Sequence, residues 1–125
     1  MANIRSFKEL IVWQRAMDAA MDVFRQTEDL PSHERFALTD QIRRSSRSVA
    51  ANIAEAWRKR RYPAAFIAKL SDAEAEAAET QTHIEIARRC SYFTDDTAAH
   101  LDGEYEAILA MLVTMAAKPD QWVIR

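Results

Sequence analysis

The sequence predicts an all-α fold, an antiparallel up-down-up-down four-helix bundle. Three observations carry this reading. The chain of 125 residues holds one Gly and three Pro, too few for the turns of a β-sandwich or the Gly-rich loop of a Rossmann or P-loop site. Hydrophobic residues make up 49% of it, enough for a real core. Apolar residues recur at three- and four-residue steps in four long segments, with short breaks between them. The length fits one domain, residues 1–125, with helices at about 7–27, 33–60, 63–89 and 94–117 and a tail at 118–125.

In the first helix Leu10, Trp13, Met17, Ala20, Met21 and Phe24 fall on one face. Ser6 with Glu9 three residues later has the capping-box spacing. Pro31 lies in the break Glu28-Asp29-Leu30-Pro31-Ser32. In the second segment Ser32 is placed to cap a turn over 32–37, and Thr39 stands either as the N-cap of the main helix or within one continuous helix. Its apolar face is Leu38, Ile42, Ser46, Val49, Ile53 and Trp57. Pro63 opens the third helix, whose inner face includes Phe66, Leu70, Ala73, Ala77, Ile84 and Ala87. The fourth starts near Thr94 or Asp95, and Leu101, Tyr105, Ile108, Leu112 and Met115 alternate four-three spacings, the seam of a bundle. Gly103 interrupts it at a cost of about 1 kcal/mol relative to Ala. The expected core is Leu10, Trp13, Met17, Ile42, Val49, Ile53, Phe66, Leu70, Ile84, Leu101, Ile108 and Leu112. Short connections make successive helices antiparallel.

Function classes narrow by exclusion. Cys90 is the only cysteine, which excludes an internal disulfide and a cysteine zinc site and fits a reducing cytoplasm. The N-terminus lacks an apolar secretory core, and the least polar stretch, Ala107 to Ala117, is roughly half the length of a membrane span. A di-iron bundle site needs Glu-x-x-His motifs, and His33, His83 and His100 supply none. Glu79 and His83 read instead as a helix-surface pair. Cys90 lies near a helix C-terminus, which disfavours a thiolate. The sequence therefore predicts no enzyme, no cofactor, no metal and no small-molecule substrate.

Charge is uneven although 17 Lys+Arg face 19 Asp+Glu, a formal net charge of −2. Residues 39–62 hold seven basic residues (Arg43, Arg44, Arg47, Arg58, Lys59, Arg60 and Arg61) against Asp40 and Glu55. Residues 90–117 hold five acids and no Lys or Arg. Arg44, Arg47 and Arg58 fall within roughly 60° of one another, opposite the apolar stripe. Two readings stand: a phosphate-binding strip, with Arg43, Arg44, Arg47, Arg58, Lys59 and Arg61 as candidates for RNA or DNA, or a solvated face whose arginines are free or paired with the acidic fourth helix of this chain or of a neighbour. No aromatic platform is evident beside these arginines, and Glu55 is spaced to pair with Lys59. Ala50, Ala51, Ala54 and Ala56 surround the second helix's apolar stripe, Asn52 sits at its edge and Trp57 lies on it; of these Ala50, Ala51, Asn52, Ala54 and Trp57 are candidates for a contact between copies, as is the apolar tail Trp122-Val123-Ile124. Asn52 stands either as a buried register-fixing residue or as an exposed polar one.

Three stretches together resemble one family: Phe7 to Met17, Leu38 to Ser46, and Ser48 to Glu55. They resemble the bacterial four-helix-bundle proteins known from intervening sequences in 23S ribosomal RNA genes, a fold shared with the accessory protein of diversity-generating retroelements. The resemblance implies a cytoplasmic, non-enzymatic bundle that assembles as a homo-oligomer, characteristically a five-membered ring. It also implies nucleic-acid binding, best supported for the basic retroelement relatives. Ala50 and Ala56 stand where the family usually has Pro and Gly, which predicts a straighter second helix.

Overall fold

The computed structural model describes residues 4–122, and among these no strand occurs. Four α-helices make the body: α1 Ile11–Gln26, α2 Leu38–Arg58, α3 Pro63–Arg89 and α4 Asp95–Ala117. Each packs on the next, and α1 closes on α4. Polar pairs fix the antiparallel register. Between α2 and α3, Arg44 meets Glu79, Ser45 meets Thr80, and Glu55 meets Lys69. Gln81 bonds Glu106 and Arg88 pairs with Asp95 between α3 and α4, and Arg15 pairs with Glu104 between α1 and α4. From Arg44–Glu79 to Glu55–Lys69, and from Gln81–Glu106 to Arg88–Asp95, position rises along one helix as it falls along the other.

Helix starts differ from the expectation in two places. The Ser6–Glu9 capping box exists, but it caps a separate 3-10 turn over Phe7–Glu9. Leu10 is extended (φ −68°, ψ 126°), so α1 begins only at Ile11. Residues Ser32–Glu34 form another 3-10 turn, with Pro31 rather than Ser32 at its cap. Neither Ser32 nor Thr39 starts α2. Ala37 takes the N-cap position without a side-chain bond, and the Glu34 carboxylate accepts the Leu38 amide at 3.3 Å instead. Thr94 does cap α4, accepting the Thr97 amide. α2 runs unbroken through Ala50 and Ala56, as Ala at those positions predicts.

The α3 helix ends in a Schellman turn. The Tyr92 amide donates to the Ala87 carbonyl at 2.9 Å, with Ser91 left-handed at φ 61°. One turn earlier Glu85 accepts hydrogen bonds from Arg88 and Arg89, which hold its carboxyl down at about 2, well below the usual range.

Ten of the twelve expected core residues are buried; Trp13 and Met17 are not. The face of α1 that meets the core is Val12, Ala16, Ala19, Ala20 and Val23. It lies beside the stripe read from the sequence. Two apolar stripes share this helix, and the one with small side chains lets α1 approach closely. The larger residues Trp13, Met17, Met21 and Phe24 are displaced to the seam between α1 and α2.

Arg43 clasps the far end of that seam. Its Nε donates to Thr27 Oγ1 at 2.8 Å and its Nη2 to the Phe24 carbonyl at 3.2 Å, and its guanidinium lies 4.5 Å from the centre of the Phe24 ring. Thr27 is buried and its hydroxyl donates a hydrogen bond to the Val23 carbonyl, so the clasp satisfies the last turn of α1.

Four variants check this packing by chemical denaturation. Leu112→Ala removes a fully buried seam residue and lowers stability by about 2–5 kcal/mol. A Cβ added at Gly103 meets nothing within 4 Å, so Gly103→Ala raises stability by about 1 kcal/mol. Arg43→Ala lowers stability by about 1–3 kcal/mol, since it strips charge-assisted hydrogen bonds from buried acceptors. Exposed Arg47→Ala stays within about 0.5 kcal/mol of wild type.

Candidate nucleic-acid interface

α2 projects its basic residues outward because its opposite face, Leu38, Ile42, Val49, Ile53 and Trp57, is fixed in the core. The candidates then divide by what they already touch. Arg43 belongs to the clasp and is withdrawn from any strip. Arg44 is exposed but engaged: its Nη2 lies 2.9 Å from Glu79 and its Nη1 3.9 Å from Glu76. Its partners are on α3, not on the acidic α4 that the paired reading favoured. α4 turns its acids elsewhere, Glu104 to Arg15, Glu106 to Gln81 and Asp95 to Arg88.

Arg47, Arg58, Lys59 and Arg61 are exposed and form no ion pair among the described residues. Arg60 is different again. Its Nε donates to the Trp57 carbonyl at 2.7 Å, and its guanidinium stacks 3.4 Å from the centre of the Trp57 ring. Glu55 reaches across to Lys69 on α3 at 2.8 Å rather than along its own helix to Lys59. That pairing removes the acid nearest to Arg58 and Lys59.

Arg44 and Arg47 line a shallow groove of about 490 Å³ along α2, with Arg35, Arg43, Thr39 and Ser48. Arg35 comes from the α1–α2 connection and was not among the sequence candidates. Asp40 also lines the groove and opposes an anion there. The exposed cations of α2 therefore thin out along the groove and are densest at the α2–α3 turn.

Aromatic side chains stand nearer to the basic residues than the sequence suggested. Phe36, beside Arg35, is 87% exposed, and Tyr62, beside Arg61, is 66% exposed. A position next to a charge run was the available signal for both.

The candidates for contact between copies divide as well. Ala50 and Trp57 are buried within the chain and offer little surface. Asn52 is half-buried, and its amide donates to the Ser48 carbonyl of its own helix, so it fixes no register between helices. Ala51 is exposed and Ala54 half-buried. They line an apolar groove of about 380 Å³ whose other wall is Trp13, Met17, Met21 and Phe24 of α1. Met17 and Met21 are 38% and 46% exposed there. Trp122 is half-buried against the core and lines a separate apolar groove between the ends of α1 and α4. Val123 and Ile124 lie outside the described residues.

His83 is buried rather than on the surface, with Nε2 3.5 Å from Glu79 Oε2. Cys90 is exposed. Among the described residues no group of three His, Cys, Asp or Glu is placed to hold a metal ion. No helix of the described residues is long and apolar enough to cross a membrane.

The solved structures include one from Bacteroides thetaiotaomicron, a protein of unknown function from the S23 ribosomal protein family. It is 27% identical in sequence, aligns over 85% of this chain and 98% of its own, and gives a TM-score of 0.76. No curated protein matches the sequence. The 23S rRNA-intervening sequence protein family matches residues 8–114, which take in all of α1, α2 and α3 and most of α4. The chain belongs to the 23S rRNA-intervening sequence protein family.

Proposed function

We propose that this protein is a non-enzymatic, cytoplasmic scaffold that assembles with itself into a ring of five and associates with RNA or DNA. The contact runs through the basic residues of α2 and its following turn. The observation that carries this reading is the set Arg47, Arg58, Lys59 and Arg61, exposed and without acidic partners among the described residues. A folded chain with a net charge of −2 has acids to spare, yet these four cations are left for an outside partner. The family's link to 23S rRNA supports RNA as that partner.

Assembly matters because one chain offers few phosphate contacts. A ring repeats them, and weak contacts add through multivalency. Self-association rests on the groove between α1 and α2, where Met17, Met21 and Ala51 keep apolar surface in water. A second reading, a scaffold for protein partners alone, draws on Arg44, which its two α3 acids already neutralise.

Two measurements test the proposal. Light scattering at micromolar concentration returns the mass of five chains for wild type and of one chain for Met21→Glu with Ala51→Arg, with helicity retained. A wild-type monomer overturns the assembly. Labelled RNA and DNA, titrated at about 50 mM salt, bind wild type and lose most affinity when Arg47, Arg58, Lys59 and Arg61 are all changed to Glu. Wild type that binds neither nucleic acid leaves only the protein scaffold.

A further inference from the structure

The antiparallel topology brings three separate pieces of chain to one end of the bundle. These are the α2–α3 turn, the segment that precedes α1 and the segment that follows α4. The 3-10 turn Phe7–Glu9 packs on α2 at this end, and the turn Pro119–Gln121 packs on α3. Exposed cations from all of them meet here: Arg5 and Lys8 before α1, Arg58, Lys59 and Arg61 around the turn, and Lys118 after α4. The acids at this end are few. The Glu9 carboxylate accepts the Arg5 and Ser6 amides, Glu55 is held by Lys69, and Asp120 is the third. The opposite end mixes both signs, with exposed Arg25, Arg35, Arg88 and Arg89 among exposed Glu28, Asp29, Asp95 and Asp96. The overall charge therefore conceals one end of the bundle that is basic.

Tyr62 lies in the α2–α3 turn at the basic end, next to Arg61. Its backbone is extended (φ −121°, ψ 97°) at the N-cap position of α3, its amide donates to the Lys59 carbonyl at 3.0 Å, and Pro63 follows it. A residue so held before a proline has little backbone freedom, so the exposed ring is presented from a fixed base. Trp57 cannot serve the same purpose, because it is buried and Arg60 covers its ring.

We infer that this end of the bundle takes single-stranded nucleic acid, with phosphates on the surrounding cations and an unstacked base on the Tyr62 ring. The inference rests on the nucleic-acid reading above and narrows it to one class of ligand. A duplex hides its base faces in its own stack and offers an aromatic ring nothing but backbone, whereas a single strand offers both phosphate and π-face. With helices about 8–10 Å apart, the end face is roughly 20 Å across, room for a short run of nucleotides. The six cations come from three separate pieces of chain rather than from one helix face.

The test is an anisotropy titration of the full chain with a labelled single-stranded oligonucleotide and with the same strand in duplex, in RNA and DNA forms, at about 50 mM salt. The single strand binds about tenfold or more tightly than the duplex. Tyr62→Ala weakens single-strand binding about 5- to 150-fold, the range for one base–aromatic stack, and leaves duplex binding unchanged. Tyr62→Phe restores it, and Lys8→Glu with Lys118→Glu weakens it although neither residue is near α2 in sequence. All are surface changes, and unchanged thermal melts confirm the fold. If wild type binds both forms equally, or if Tyr62→Ala binds the single strand as wild type does, the inference falls while nucleic-acid binding stands. If wild type binds neither form, the broader proposal falls first and takes this one with it.

Discussion

The narrowness of the core governs the rest of this molecule. Alanines stand at inward positions on every helix: Ala16 and Ala19 on α1, Ala50 and Ala56 on α2, Ala73, Ala77 and Ala87 on α3, Ala98 on α4. Small side chains let helix axes approach, and a closely packed interior has no room for every large apolar group the chain carries. Phe66, Tyr105, Leu70 and the isoleucines fill what space there is. Trp13, Met17 and Met21 are left at the α1–α2 seam, and Ile11 and Val113 face water. A surface that is apolar there and basic along α2 follows from the same constraint, because fixing the inner face of α2 fixes where its arginines point.

The same constraint separates what the sequence made legible from what it did not. The Leu101–Leu112 seam and the Ile42–Trp57 stripe each hold large residues on a single face, so periodicity alone identified them. α1 carries two apolar stripes one residue apart, and a rule that favours large residues chose the one that ends outside. Side-chain size shows hydrophobic value, but the spacing between helices decides which stripe fits. The start of α2 was misjudged for a related reason. Its capping group is Glu34, which lies in a preceding turn, and no local spacing rule connects Glu34 to the Leu38 amide.

The basic residues show how far charge counting reaches. The seven cations of residues 39–62 are equal in a tally and unequal in the fold. Arg43 completes the end of α1, Arg44 ties α2 to α3, and Arg60 covers Trp57. Arg43 and Arg44 needed partners from other helices, which only the tertiary structure supplies, whereas Arg60 turns back on a residue three positions before it. Arg5, Lys8 and Lys118 are isolated in sequence and join the cluster because consecutive helices alternate in direction. Arg47, Arg58, Lys59 and Arg61 are the cations of α2 and its turn that the fold does not use.

That division between used and unused cations is the centre of the account, and the salt dependence of single-stranded RNA binding tests it most directly. Each phosphate contact contributes about 0.7 to the slope of log affinity against log salt concentration on a single strand. The account predicts that neutralising Arg47, Arg58, Lys59 or Arg61 singly lowers the slope by about that amount per chain, while neutralising Arg43 or Arg44 leaves it unchanged. A slope that falls with Arg43 and Arg44 and ignores the other four would contradict it.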